Sequence, residues 1–194
     1  MAEGYLGNQH LKKTGMPIEW TAELIQEYAK CAADPIYFAK KYIKIVHVDR
    51  GLIPFNMYPY QEKIVSEITE NRRVAVLTAR QSGKTTTAVA IILHYILFNE
   101  HKTVAILANK GDSAQEVLSR VQLAYEALPK WLQQGVLEWN KRSIELENGC
   151  KIYSGTTTSS AIRGKSCVTG DTKLCIEKED GIYLIEIEKL INSI

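Results

Sequence analysis

The most explicit chemistry in the sequence lies in Thr78-Ala79-Arg80-Gln81-Ser82-Gly83-Lys84-Thr85. This stretch fits the spacing G-x-x-x-x-G-K-[ST], with Thr78 in place of the first glycine. Gly83 lets the backbone curl so that the N–H groups from Gln81 to Thr86 turn toward phosphate oxygens. Lys84 adds a point charge at the β- and γ-phosphates, and the Thr85 hydroxyl is placed to ligate Mg²⁺. Arg80 lies inside the loop, within side-chain reach of a γ-phosphate, and its alternative is a surface arginine. Upstream, Tyr58-Pro59-Tyr60-Gln61 opens a helical pattern. The Gln61 amide offers one donor and one acceptor, which suits adenine, and the alternative is a polar helix-capping residue.

The elements that must hold this loop follow from periodicity. Val74-Ala75-Val76-Leu77 reads as a short strand buried in a parallel sheet. A helix from Lys84 to Phe98 follows the loop and aims its positive end at the phosphates. Thr103–Ala108 is the next expected strand, and Ser113–Leu128 the next helix, with Ala114, Val117, Leu118, Val121 and Leu128 inward. Strand, helix, strand, helix in this order predicts a parallel sheet with right-handed crossovers. Ser143–Glu147 and Lys151–Ser154 flank Asn148-Gly149, a hairpin signal. Before the loop, helices are expected over Thr21–Ala33, from Asp34-Pro35 to Tyr42, and over Pro59–Glu70. A strand is expected over Ile43–Val48 with a turn at Asp49-Arg50-Gly51. Residues 1–20 read as a polar, loosely ordered arm.

With 194 residues, 45% hydrophobic and 24% charged, the chain can bury about 70% of its unfolded surface. Disorder and a fibrous repeat are excluded as main descriptions. A net charge of +2 is too small to argue for nucleic acid or membrane by itself. No run nears the roughly 18 apolar residues of a membrane span, and the first residues hold no apolar signal core, so no membrane partner is expected. The four cysteines, Cys31, Cys150, Cys167 and Cys175, form no CxxC pair, which points to a reducing compartment rather than a zinc site. After Lys84 no apolar strand in the sheet region ends in Asp or Glu, the usual second holder of Mg²⁺ beside such a loop.

Residues 52–166 resemble the N-terminal ATPase domain of the large terminase subunit of tailed phages. The strings that carry the resemblance are YPYQ, VAVLTARQSGKTT, VAILANKGDSAQEVLSRVQLAYEALPKWLQQGVLEWNKRSIELENG and SSAIRGKS. It implies an α/β fold of the P-loop NTPase type, a parallel sheet with flanking helices, here incomplete. It also implies ATP and Mg²⁺ as cofactors, with Arg80 standing in the family's arginine-bearing loop and Gln61 at its adenine-recognition position. The family's activity would bring double-stranded DNA, a portal and procapsid and a homo-oligomer as partners, in the cytoplasm of an infected bacterial host. Arg163, in the Arg-Gly-x-Ser loop, stands either as a charge-stabilising residue on the nucleotide of its own or a neighbouring subunit, or as a DNA- or solvent-facing arginine.

The family continues past that loop into an acidic strand, whereas this sequence reads Cys-Val-Thr-Gly-Asp-Thr-Lys-Leu after Ser166. Residues 167–194 carry three Lys/Arg against six Asp/Glu, while the preceding 166 carry 21 against 16. The segment alternates as a small hairpin, Lys173–Glu177 and Ile182–Ile187. Cys-Val-Thr-Gly-Asp-Thr is similar to the opening block of an intein, and the resemblance implies the N-terminal fragment of a split, Hint-type fold. In that reading the Cys167 sulfur attacks the Ser166 carbonyl and turns the Ser166–Cys167 amide into a thioester. A histidine from a later block would supply the proton donor, and no histidine follows His101. A chain bearing the complementary intein and terminase halves is then required, and the isolated chain is expected to be poorly active. Cys175 reads as a structural strand cysteine. The expected organisation is a helical arm over 1–50, a partial ATPase over 51–166 and an intein fragment over 167–194. The competing expectations are a truncated ATPase with a meaningless tail, and a DNA-binding scaffold that keeps the motor fold.

Overall fold

The structure, a computed structural model, describes residues 4–47, 49, 51–157, 173–178 and 181–186. The long apolar stretch after the loop forms α4 (Lys84–Leu97), preceded by α1 (Ala22–Ala33), α2 (Pro35–Tyr42), β1 (Lys44–His47), β2 (Gly51–Pro54) and α3 (Pro59–Glu70). Beyond α4 come β3 (Thr103–Ala108), α5 (Gly111–Glu126), β4 (Val136–Trp139), β5 (Ser143–Leu146), β6 (Lys151–Thr156), β7 (Lys173–Lys178) and β8 (Gly181–Glu186). The helical periods read from the sequence reappear with ends shifted by a residue or two.

α4 is the keel of the fold. Val89, Ala90, Leu93, Ile96 and Leu97 are buried, and the helix packs against α2, α3 and α5. A helix apolar on more than one side is stable only when covered on several sides. One of its C-terminal carbonyls, which lack helical partners, is met by a side chain from the hairpin: Asn148 Nδ2 donates to Ile96 O at 2.7 Å, and to Asn99 O just beyond the helix at 2.8 Å. The turn residue next to it, Gly149, has φ +77, so Asn148-Gly149 both closes the β5–β6 hairpin and ties it to α4.

The main sheet has the order β3-β6-β5-β4. β3 and β6 are parallel, with Val104 opposite Ile152. β6, β5 and β4 run antiparallel in turn, with Ile144 opposite Ile152 and Val136 opposite Leu146. The sheet is therefore mixed rather than the parallel one expected. β4 was hidden because its four residues alternate too briefly to signal a strand, and it is held by buried Val136 against Leu146.

The larger correction concerns Val74–Leu77, which forms no strand. Val74 and Val76 are each 38% exposed and Leu77 is 84% exposed. A parallel strand is stabilised by ladder partners and by cover on both faces, and no described strand pairs with this segment. It runs instead beside α3, where Tyr60, Ile64 and Glu67 share a groove with Val74–Thr78. The Thr78–Thr85 loop thus enters α4 from a segment that no described strand pairs with.

The N-terminal residues are not loosely held. Leu11 is 1% exposed, and the Lys12 N–H donates to Gln133 Oε1 at 2.9 Å. Gln133 Nε2 in turn donates to the carbonyls of His10, Tyr125 and Leu128. One buried amide therefore joins the arm to the end of α5, a link between residues more than 120 apart that periodicity does not reveal.

β7 and β8 form a two-stranded antiparallel sheet with Cys175 opposite Leu184. The hairpin expected from alternation is present, one residue longer in its first strand and ending one residue earlier in its second.

Between α1 and α2, Glu27 accepts from Lys41 Nζ at 2.7 Å and from the hydroxyls of Tyr42 and Tyr37 at 2.8 and 2.9 Å. Lys41 above all, with both tyrosines, holds the Glu27 carboxyl down from 4.5 to about 2. A depressed carboxyl stabilises the fold fully above its unfolded value and loses that contribution as pH falls through the folded one. Glu27→Gln should be less stable than the parent at pH 7, and the gap should close as pH falls from about 4.5 to about 2, read by urea denaturation at a series of pH values.

Candidate functional site

α3 and α4 set the two sides of the loop. Pro59 sits in the first turn of α3, where its missing N–H costs nothing, and Tyr58 is the N-cap. Gln61 reaches back to accept from the Tyr58 N–H through Oε1 at 2.9 Å. Gly83 is the N-cap of α4, with φ +75, a left-handed conformation that only glycine adopts without strain. Gln81 is also left-handed, at φ +60. Two left-handed residues with one residue between them give the loop its sharp turns before α4.

Inside the loop, the Thr78 and Ser82 hydroxyls lie 2.9 Å apart, and Ser82 Oγ donates to Ala79 O at 2.9 Å. Lys84 Nζ donates to Ala79 O at 2.6 Å and to Thr78 O at 3.2 Å. Its ammonium carries three donors, so one remains for a ligand while the other two span the loop. Thr78, which stands where a glycine was expected, thus closes the loop through its side chain and its carbonyl. Arg80 is exposed at the loop's turn, and Thr85 and Thr86 are half-buried in the first turn of α4. The sequence-expected residues Gln61, Arg80, Gln81, Ser82, Gly83, Lys84, Thr85 and Thr86 are all found at or beside one loop. Arg163, Ser166 and Cys167 lie outside the described residues.

A cleft of about 320 Å³ adjoins the loop. One wall is apolar, from Ile45, Ile53 and Phe55; the other is the loop itself, Gln81–Gly83 with Thr86. Tyr58 and Tyr60 line it with stacked rings, centroids 5.8 Å apart and planes nearly parallel at 8°. The β1–β2 hairpin is the part that sequence reasoning did not connect to the site. A strand and turn were legible there, but nothing local says that residues about 30 positions before Gly83 fold over its loop.

The chemistry of the donor set fits a polyphosphate. A left-handed glycine, a helix N-terminus and a lysine are features that an anion site uses, and an apolar wall lies beside them. Thr85 is the hydroxyl available for Mg²⁺. Among the described residues there is no group of three His, Cys, Asp or Glu able to hold a metal, and no helix long and apolar enough to cross a membrane.

Residues 75–170 match the family model of the terminase large subunit, T4likevirus-type, N-terminal. The match covers just under half of the chain. It takes in the loop, α4, β3, α5 and the β4–β6 strands, while α3 and the β1–β2 hairpin, which form the other side of the cleft, lie before it. It ends at residue 170, close to Cys167, and leaves the β7–β8 hairpin outside.

Gly83→Ala places a Cβ 2.5 Å from Gln61 Nε2 at a φ of +75. The left-handed strain alone is about 1–2 kcal/mol, and either the Gln61 amide or the loop must shift to admit the methyl group. This variant should bind Mg²⁺ and tripolyphosphate at least tenfold more weakly than the parent by calorimetry, with the helical circular dichroism preserved.

Proposed function

We propose that this chain supplies the nucleotide-binding part of the ATPase of a phage DNA-packaging terminase, with ATP and Mg²⁺ as its ligands. The observation that carries the reading is the Gly83–Lys84 loop at the N-terminus of α4, lying within the terminase match. Mg²⁺ would neutralise charge on the β- and γ-phosphates when bound. Lys84 would hold the same phosphates from the loop side, and the Thr85 hydroxyl is the group that would ligate the metal. The backbone N–H groups from Gln81 to Thr86 fix the triphosphate against the helix end. Arg80 is proposed as a second positive charge at the γ-phosphate, and Arg163 as a charge-stabilising residue in its own or a neighbouring subunit. Double-stranded DNA, a portal and procapsid, and copies of the same chain are the proposed partners in the host cytoplasm.

Completion of the ATPase by a second polypeptide is also proposed. Val74, Val76 and Leu77 are apolar and exposed beside the loop, and β3 is an edge strand of the main sheet. Both features suit strands supplied by another chain. Cys167 is proposed to start a trans-splicing reaction that joins Ser166 to that chain. The sulfur attacks the Ser166 carbonyl, the amide nitrogen leaves as an amine carrying the proton, and a thioester remains. The separate antiparallel β7–β8 hairpin that follows, and the change from net positive to net negative charge, support a distinct unit after Ser166.

Lys84→Ala removes one charge-assisted contact to phosphate, a loss of about 1.5–3 kcal/mol. ATP·Mg affinity measured by calorimetry should fall about ten- to hundredfold; an unchanged affinity would refute the phosphate-loop assignment. Mixed with a polypeptide bearing a complementary C-terminal intein half, the chain should lose residues 167–194 and gain the partner's mass at Ser166. Cys167→Ala should abolish that product and Cys175→Ala should not, by intact mass. Ligated product from Cys167→Ala would leave a truncated ATPase as the reading.

A further inference from the structure

Gln61 is 2% exposed, and its amide is already engaged at both ends. Oε1 accepts from the Tyr58 N–H at 2.9 Å, and Nε2 donates to the Ser82 carbonyl at 3.5 Å. A second donor reaches the same carbonyl: the Tyr60 hydroxyl, at 2.5 Å. Gln61 Nε2 also fills the space beside Gly83 that a Cβ would need. Two side chains from the first turn of α3 thus hold one peptide group of the loop.

The consequence follows from peptide geometry. In a planar trans peptide the C=O and the following N–H point in opposite directions. Drawing the Ser82 oxygen toward α3 therefore turns the Gly83 N–H away from α3. Released, the Ser82–Gly83 plane can rotate, because glycine tolerates most backbone angles. A carbonyl oxygen would then face a phosphate where an N–H should.

We propose that Gln61 and Tyr60 are positioning residues for the phosphate loop, acting on the ligand through the Ser82–Gly83 peptide rather than by reading a base. This rests on the reading of the loop as a triphosphate site. It assigns to Gln61 an effect common to every ligand with the same phosphates, whatever base is attached.

The test compares Mg²⁺ complexes of ATP, GTP and inorganic tripolyphosphate, titrated by calorimetry into the full chain and into Gln61→Met and Tyr60→Phe. Gln61→Met keeps the bulk and removes the amide; Tyr60→Phe removes one exposed hydroxyl and keeps the ring. The expected result is a common loss for all three ligands, about tenfold for Gln61→Met and about threefold for Tyr60→Phe, at unchanged stoichiometry. Damage to the fold would appear as a lower stoichiometry, and Tyr60→Phe still decides the matter should Gln61→Met fold poorly. Unchanged tripolyphosphate binding with a lost preference between ATP and GTP would overturn the proposal and make Gln61 a base reader. Unchanged affinities for all three ligands in Tyr60→Phe would also overturn it. Failure of the parent chain to bind tripolyphosphate would overturn the site reading itself, and is distinguished by needing no variant.

Discussion

The structure depends on the burial of α4. Its apolar residues pack against α2, α3 and α5, and its last carbonyls are tied to the β5–β6 turn through Asn148. Fixing the helix at its C-terminal end fixes where its first turn lies, and with it Gly83, Lys84 and Thr85. Leu93 and Ile96 are fully buried, so loosening the core around them would displace the loop that precedes the helix. Packing and chemistry are therefore coupled along one helix, with the solvent-facing loop at one end and the hairpin at the other.

The site was legible in the sequence because its parts are local. Gly83, Lys84 and Thr85 are adjacent, and the helix that begins there is long enough for its period to be read. Asn148-Gly149 likewise declared its hairpin through two residues. What escaped was long-range. The Val74–Leu77 run has the composition of a buried strand, but composition reports only what a segment would bury, not whether ladder partners stand beside it. The arm over residues 4–20 looked detached because its apolar residues are scattered with no helical or strand period; the Gln133 amide that secures it lies more than 120 positions away. The β1–β2 hairpin wall of the cleft escaped for the same reason.

Exposed Val74, Val76 and Leu77 also connect the fold to the proposed function. Apolar side chains in a row beside a phosphate loop are an expensive surface to leave in water, at roughly 25 cal/mol per Å². Cover by strands from a second polypeptide would bury them and supply the acidic residue in which no strand of the β3-β6-β5-β4 sheet ends. The terminase match and the tail after Cys167 bear on this in different ways. The first makes the stretch around the loop similar to the N-terminal part of a terminase large subunit. The second carries the proposal that the two parts are joined covalently.

The central claim is that the backbone from Gln81 to Thr86 binds the phosphates of a nucleotide. Amide hydrogen exchange of the full chain, with and without ATP and Mg²⁺, tests it most directly, because the proposed donors are the exchanging groups themselves. The account predicts added protection over Gln81–Thr86 with ATP or tripolyphosphate, and none there with adenosine. Loop exchange unaltered by saturating ATP, or protection equally produced by adenosine, would contradict it.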